Sequence, residues 1–338
     1  MLEPVIERGL KTITSSINVN EDVFKGKRIL VTGGAGFLGS WICDVLVKLG
    51  AKVFCLDNLS TGRMENIKHL SNNKNFSFIR ADVNEWNPVK KFDYIIHSAS
   101  LPSPEEYVNK PVNAMFPNSV GLLRLLENAR LSDSVLLFLS TSEVYGNAEV
   151  VPTPETYWGK VNPIGFRSCY DESKRFGEAL CMAYFRQYSV DIRIARIFNT
   201  YGPRIDPNAR YARVVPKFII QALRGDPLTI HGNGLQTRSF CYVTDTVTAL
   251  LKMLFIEKCR GEVINIGSPQ EIKILDLARI IKKLTNSKSS LIFQPPRPDD
   301  PRRRCPDLSK AKSILEWKPK IPLREGLRYT IEWFRGLI

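Results

Sequence analysis

The sequence predicts an α/β fold: a doubly wound parallel sheet followed by a smaller C-terminal α/β domain. Two observations carry that expectation. From residue 27 onward, short apolar runs of strand length alternate with amphipathic stretches of helix length, the pattern of parallel strands covered by helices on both faces. A glycine-rich turn, Gly33-Gly-Ala-Gly-Phe-Leu-Gly39, joins the first apolar run to the first such helix. Ligands of these sheets bind at the carboxyl ends of the strands, so chemistry-bearing residues are sought there.

Residues 1–26 form an N-terminal extension in which Val5, Ile6, Leu10, Ile13 and Ile17 mark a helical stripe, fit to pack on the body or on a second subunit. No chemistry is assigned to it. Lys27-Arg-Ile-Leu-Val-Thr32 then reads as a buried strand. Each glycine of the turn has a physical reason: Gly33 for the sharp bend, Gly36 for close approach to a pyrophosphate, Gly39 for close helix packing. The N–H groups at the start of the helix, around Phe37 and Leu38, are placed to hold that anion. The second strand ends in Asp57-Asn58, about 20 residues on, where an acid binds a ribose diol and repels a 2′-phosphate. The turn and the acid together predict a Rossmann domain over 27–198 that binds NAD rather than NADP. Asp82 and Val83, at the end of the third strand, are assigned to the adenine side. His97 lies inside the apolar strand Asp93–Ser100 and reads as packed, not as a base. One long helix, running past Asn118 to Leu126, is expected before the strand Ser134–Ser140.

Tyr170 and Lys174 stand four residues apart at the start of the next helix and share one face. An ammonium beside a phenol favours the phenolate, which can take a proton from an alcohol. Ser140-Thr-Ser-Glu-Val-Tyr-Gly146 supplies hydroxyls at a strand end, and Thr141 is expected to bond the same substrate oxygen. That is general-base chemistry on a hydroxyl beside a nicotinamide.

Composition bounds the alternatives. A formal charge of +14 in 338 residues favours an anionic partner, yet no nucleic-acid-binding motif accompanies it. The seven cysteines show no metal-ligand spacing and no disulfide framework, so no metal is expected and a reducing cytoplasm fits. No apolar run approaches a membrane span.

With these motifs the chain resembles the extended short-chain dehydrogenase/reductase superfamily over about residues 27–336, and Thr141-Ser142-Glu143 with Glu155–Tyr170 looks most like its UDP-glucuronic acid decarboxylases. The resemblance implies catalytic roles for Tyr170, Lys174, Thr141, Ser142, Glu143 and Arg304, with Tyr170 and Lys174 also touching the cofactor. It implies that 199–338 is mainly a UDP-sugar-binding domain, with segments returning to the first. Tyr107, Asn199, Arg204, Arg213, Lys217, Arg238 and Arg297 are its implied substrate contacts. The arginines suit that task because a guanidinium meets phosphate or carboxylate oxygens in pairs. Arg302 and Arg303 read as a solvated run. Two departures stand out: Pro104-Glu105-Glu106-Tyr107 where the family has paired prolines and a histidine or asparagine, and Val215-Pro-Lys-Phe218 where a serine and asparagine are usual.

The function implied is NAD-dependent decarboxylation of UDP-glucuronic acid to UDP-xylose through a 4-keto sugar. Ser142 and Glu143 orient the ring and carboxylate, and Arg304 reaches the carboxylate or the C5 side. The alternative within enzymes is a UDP-sugar 4-epimerase acting on UDP-glucose or UDP-glucuronate. A more distant one is an NAD-binding regulator without catalysis. Relatives of this kind dimerise through two helices each, here 106–129 and 170–188.

Overall fold

The computed structural model describes residues 3–17, 23–88, 90–206, 213–297 and 300–338. Its first half runs α1 (Pro4–Ile17), β1 (Arg28–Thr32), α2 (Phe37–Lys48), β2 (Lys52–Asp57), β3 (Phe76–Arg80), β4 (Tyr94–His97), α3 (Pro104–Asn109), α4 (Pro111–Met115), α5 (Val120–Ser132), β5 (Val135–Thr141), α6 (Ser168–Tyr188) and β6 (Ile192–Ile197). The second half adds β7 (Thr200–Tyr201), α7 (Val214–Arg224), β8 (Leu228–His231), β9 (Thr237–Ser239), β10 (Cys241–Tyr242), α8 (Val243–Phe255) and β11 (Val263–Ile266). It closes with β12 (Glu271–Lys273), α9 (Ile274–Thr285), β13 (Leu291–Gln294), α10 (Ser309–Leu315) and α11 (Leu323–Arg335).

The central sheet has seven strands in the order β11-β6-β5-β4-β1-β2-β3, and every pairing in it is parallel. Chain order reverses between β1 and β4. That switch point opens a crevice at the carboxyl ends of the strands. Strand β11 reaches this sheet from the C-terminal third and pairs with β6 from Val263↔Ile194 to Ile266↔Ile197. The remaining strands form small ribbons, β7 with β10, β8 with β13 and β9 with β12, which build the other wall of the crevice.

The N-terminal stripe folds onto the body. Val5, Ile6, Leu10, Ile13 and Ile17 are all buried, and α1 lies chiefly on α8, with α2 and α11 beside it. Each buried aliphatic side chain contributes roughly 1.5–3 kcal/mol, far more than helix propensity offers a segment this short, so packing holds α1 in place.

The single helix expected from Glu106 to Ala129 is broken. Lys110 leaves helical backbone (φ −132, ψ 60), Pro111 opens α4, and a 3₁₀ turn at Phe116–Asn118 contains Pro117. Both breaks fall at prolines, which lack the N–H needed to continue the preceding turn.

Candidate active site

The glycine turn is tighter than any side chain allows. Gly33 has φ +66, and a Cβ there would sit 2.7 Å from the backbone nitrogen of Ala99. At Gly39 a Cβ would fall 2.2 Å from the Gly33 carbonyl oxygen, so α2 packs against its own turn. Helix α2 starts at Gly36 without a side-chain cap, leaving the N–H groups of its first turn for an anion. Asp57 is fixed at the end of β2: its carboxylate accepts from Ala35 N at 2.9 Å and Leu59 N at 2.8 Å. Burial pushes its pKa up and those two bonds pull it down. Beside it, Asn58 Nδ2 donates to Asp82 at 3.0 Å. A tight, side-chain-free cradle, an uncapped helix start and a fixed acid together fit a dinucleotide with a free ribose diol.

One cavity of about 640 Å³ runs along this edge and into the C-terminal wall. Gly33, Gly36, Phe37, Leu38, Asp57 and Asn58 line its cofactor end, with Asp82 and Val83 beyond. Thr141, Ser142, Glu143, Tyr170 and Lys174 line its centre. Asn199, Arg204, Arg213, Lys217, Arg238 and Arg297 line the far wall, with Arg304 nearby. Gly39 lies beneath the turn rather than on the cavity.

Tyr107 does not reach the cavity. Its ring is buried and stacks on Tyr170, with centroids 5.2 Å apart and planes 3° from parallel. It therefore backs the phenol instead of touching a ligand, and its own hydroxyl is a buried group without a hydrogen-bond partner. Arg204 lines the cavity, but its guanidinium pairs with Asp44 at 2.6 Å and stacks over Trp41. Asn199 Nδ2 faces the Ser239 carbonyl at 3.4 Å. Arg238 pairs with Asp300 at 2.8 Å, and Arg297 with Glu105 at 3.8 Å. The extra acids Glu105 and Glu106 thus stand on the cavity, with burial and Asp206 both raising the Glu106 pKa. Val215 and Phe218 are buried on α7, and both line the cavity beside Lys217.

The catalytic pair departs from the sequence reading. Burial pushes the Tyr170 phenol up to about 12, against the pull of Arg213 and a hydrogen bond with Thr141. Burial also pushes Lys174 down to about 7. Its Nζ donates to the Leu139 carbonyl at 2.7 Å and lies over the Phe138 ring. Desolvation is the largest cause of both shifts, and it runs against a phenolate at Tyr170 and against an ammonium at Lys174.

Glu143 has the opposite character. Arg304 grips both of its oxygens, at 2.6 and 2.7 Å, and Arg167, the residue that precedes α6, donates to it at 2.5 Å. The two guanidiniums overcome burial and hold the carboxyl down at about 2. Neighbouring Asp171, which shares Arg167 at 3.8 Å, is pushed up to about 7 by burial and by the Glu143 charge. Behind them a second network steadies the strand end: Ser140 donates to Glu178, Arg196 grips Glu178, and Tyr145 bridges Arg196 to Asn265. Arg167, Asp171 and Glu178 were not singled out in the sequence. Arg167 was findable, since positions i, i+3 and i+4 bring Arg167, Tyr170 and Asp171 together.

His97 is buried, accepts from Thr32 at 2.7 Å and donates to the Pro117 carbonyl at 2.8 Å. Burial and Lys174 lower its pKa to about 3, so it stays a neutral packing group. Among the described residues no cluster of ligands for a metal ion occurs.

A Rossmann sheet carrying a tyrosine and lysine one helical turn apart, beside a strand-end Thr-Ser-Glu, defines a nicotinamide-dependent enzyme acting on a hydroxyl. The chain belongs to the extended short-chain dehydrogenase/reductase superfamily, within the GDP-mannose 4,6 dehydratase family, whose model matches residues 30–330. It is 47% identical over 309 residues to UDP-glucuronic acid decarboxylase 1 of Xenopus tropicalis, covering 91% of this chain and 72% of that protein. It is 48% identical over 309 residues to UDP-glucuronic acid decarboxylase 6 of Arabidopsis thaliana, covering 91% and 89%. Among solved structures, the UDP-glucuronic acid 4-epimerase of Bacillus cereus, bound to UDP-glucuronic acid and NAD, superposes with a TM-score of 0.84. Its identity is 30%, over 92% of this chain and 100% of that one. The UDP-glucose 4-epimerase of Thermotoga maritima, bound to UDP-glucose, gives 0.85 at 34% identity, over 92% and 99%.

Proposed function

We propose that this protein converts UDP-glucuronic acid to UDP-xylose and carbon dioxide, with NAD as its cofactor. The observation that carries the reading is the pairing of Thr141 and Tyr170 with a Glu143 carboxylate gripped by Arg304. The first pair serves an alcohol, and the second is a charged, oriented group beside it.

NAD, when bound, would supply the acceptor for the C4 hydride. Tyr170 takes the C4 hydroxyl proton, with Thr141 bonding the same oxygen. The resulting C4 ketone lies β to the C5 carboxylate. When the bond from C5 to the carboxyl carbon breaks, its electron pair passes into the enolate of that ketone. Tyr170 and Thr141 stabilise the enolate oxygen by hydrogen bonding. Glu143 and Arg304 act as one unit beside C5, orienting the carboxylate, with Ser142 on the ring. Protonation at C5 and reduction at C4 complete UDP-xylose. Arg213, Lys217, Arg238 and Arg297 are the side chains offered to the UDP portion, and 199–338 is mainly the substrate side.

Incubating pure protein with UDP-glucuronate and following gas and nucleotide product tests this. The expected result is one carbon dioxide per UDP-xylose. A 4-epimer formed without gas would instead establish the epimerase reading, which the structural neighbours keep in play.

The chain is proposed to act as a homodimer in the cytoplasm. Val112, Phe116, Val120, Leu123 and Phe176 are exposed apolar side chains on α4 to α6, a surface suited to a second copy. All seven cysteines are free, as a reducing compartment requires. No helix of the described residues is long and apolar enough to cross a membrane.

A further inference from the structure

Away from the reacting groups, one buried cluster joins the cofactor half to the substrate half. Trp41 and Asp44 stand on α2, the helix that opens from the glycine turn, and neither lines the cavity. Trp41 is fully buried, and its indole Nε1 donates to the Pro203 carbonyl at 3.1 Å. The next residue, Arg204, lies in left-handed backbone at φ +71, a region that costs a non-glycine residue energy unless its surroundings impose it. They do so here. Its guanidinium sits 5.3 Å above the Trp41 ring and meets Asp44 at 2.6 Å. His69 holds the other Asp44 oxygen at 2.5 Å. From Arg204 the chain passes straight into Ile205 and Asp206, both on the cavity wall.

The N-terminal helix closes the cluster from outside. A Cβ on Gly9 would come within 2.6 Å of the Trp41 ring and 3.2 Å of Thr244 on α8. Helix α1 therefore touches the indole at van der Waals range, with no slack for the ring to tilt.

We infer that Trp41 and Asp44 are positioning residues that rivet the Pro203–Asp206 wall to the dinucleotide helix, setting the distance between sugar nucleotide and cofactor, with α1 as the clamp. The Arg204 charge is spent on Asp44 in this arrangement. Its task is to fix the backbone on which the sugar nucleotide rests, and it carries that wall through the left-handed turn.

The test uses the full chain with Trp41→Phe, which keeps the packing and removes the indole donor, and Asp44→Asn, which keeps the shape and removes the charge. NAD affinity, UDP affinity, melting temperature, and kcat and KM for UDP-glucuronate are measured for each. UDP binding needs no turnover, so it reads the rivet even if UDP-glucuronate proves not to be the substrate. The expected result is a rise of about tenfold in the UDP Kd and in KM, as a wall displaced by a fraction of an ångström would give, with NAD affinity unchanged. Two outcomes overturn the inference: unchanged UDP affinity with only a lower melting temperature, or equal loss of NAD and UDP binding. Should Trp41→Phe fail to fold, Asp44→Asn and Gly9→Ala decide by the same readings.

Discussion

The two ends of the cavity recognise charge in opposite ways. At the cofactor end the work is done by backbone: the N–H groups above Gly36, the collapse of Gly39 onto Gly33, and an aspartate tied to Ala35 and Leu59. At the proposed substrate end stand arginines that already hold acids, Arg304 on Glu143, Arg238 on Asp300 and Arg297 on Glu105. The first end is preorganised and short in sequence. The second is assembled from distant segments, and on the proposed function its arginines exchange partners when an anionic sugar nucleotide arrives, so its affinity is a difference between two sets of ion pairs.

Tyr170→Phe should break the chemistry while sparing both ends. Turnover is expected to fall by roughly 10²–10⁴-fold, the range for losing a positioned acid–base group, with NAD and UDP affinities intact by calorimetry. Residual activity near wild type would mean that another group takes the proton.

Arg304→Ala should expose the substrate end. Glu143 would keep Arg167 but lose its two-point grip, leaving a buried charge half compensated, a loss of about 3–5 kcal/mol when a partner is removed outright. Single-turnover measurements should show carbon dioxide release falling more than the initial oxidation. Equal losses would place Arg304 outside the decarboxylation step.

Gly39→Ala addresses the cofactor end. The added methyl meets a backbone oxygen that cannot rotate away, so a stability loss of about 1–3 kcal/mol and weaker NAD binding are expected, with UDP binding retained. Parallel loss of both ligands would show that the ends are less independent than their chemistry suggests.

Acid titration tests the grip on Glu143 by its sign. Glu143 has its carboxyl held at about 2, below its ordinary value of 4.5. Its stabilising contribution is therefore complete above pH 4.5 and is lost as pH falls toward 2. Asp57, with its pKa raised, contributes in the other direction, favouring the fold slightly more where it is protonated. Melting temperature followed from pH 5 to 2 should drop, and Glu143→Gln should flatten the drop.

Glu105→Gln is expected to act least. The Glu105–Arg297 pair is long, at 3.8 Å, and exposed on both sides, and such pairs are worth about 0–1 kcal/mol. KM for UDP-glucuronate should fall severalfold at most, because Arg297 is released to the nucleotide. A rise would mean that the acid helps to hold substrate.

The same contrast explains what could be read from the chain. Cofactor recognition by backbone needs special residues at fixed short spacing, so Gly33, Gly36, Gly39 and Asp57 announced themselves, as did the alternation that gives the parallel sheet. Tyr170 and Lys174 were legible as a pair, but the direction of their pKa shifts was not, because burial is a property of what packs around them. The family resemblance implies Tyr107 as a substrate contact, and its stacking on Tyr170 is a matter of packing that sequence order does not show. The ties of Arg204 to Asp44 and of Arg304 to Glu143 each span nearly half of the chain, and no local pattern marks them. The prolines at 111 and 117 did carry the signal for the broken helix, and the apolar spacing over that stretch concealed it.

Strand β11 has a consequence for how the gene can be cut. Because a C-terminal segment fills the seventh place in the nucleotide-binding sheet, ending the chain after residue 198 would leave the flank of β6 as a bare, largely apolar edge, an invitation to aggregate. The two lobes therefore cannot be traded as separate modules. A hybrid that imports a new sugar-binding lobe must bring its own version of this returning strand.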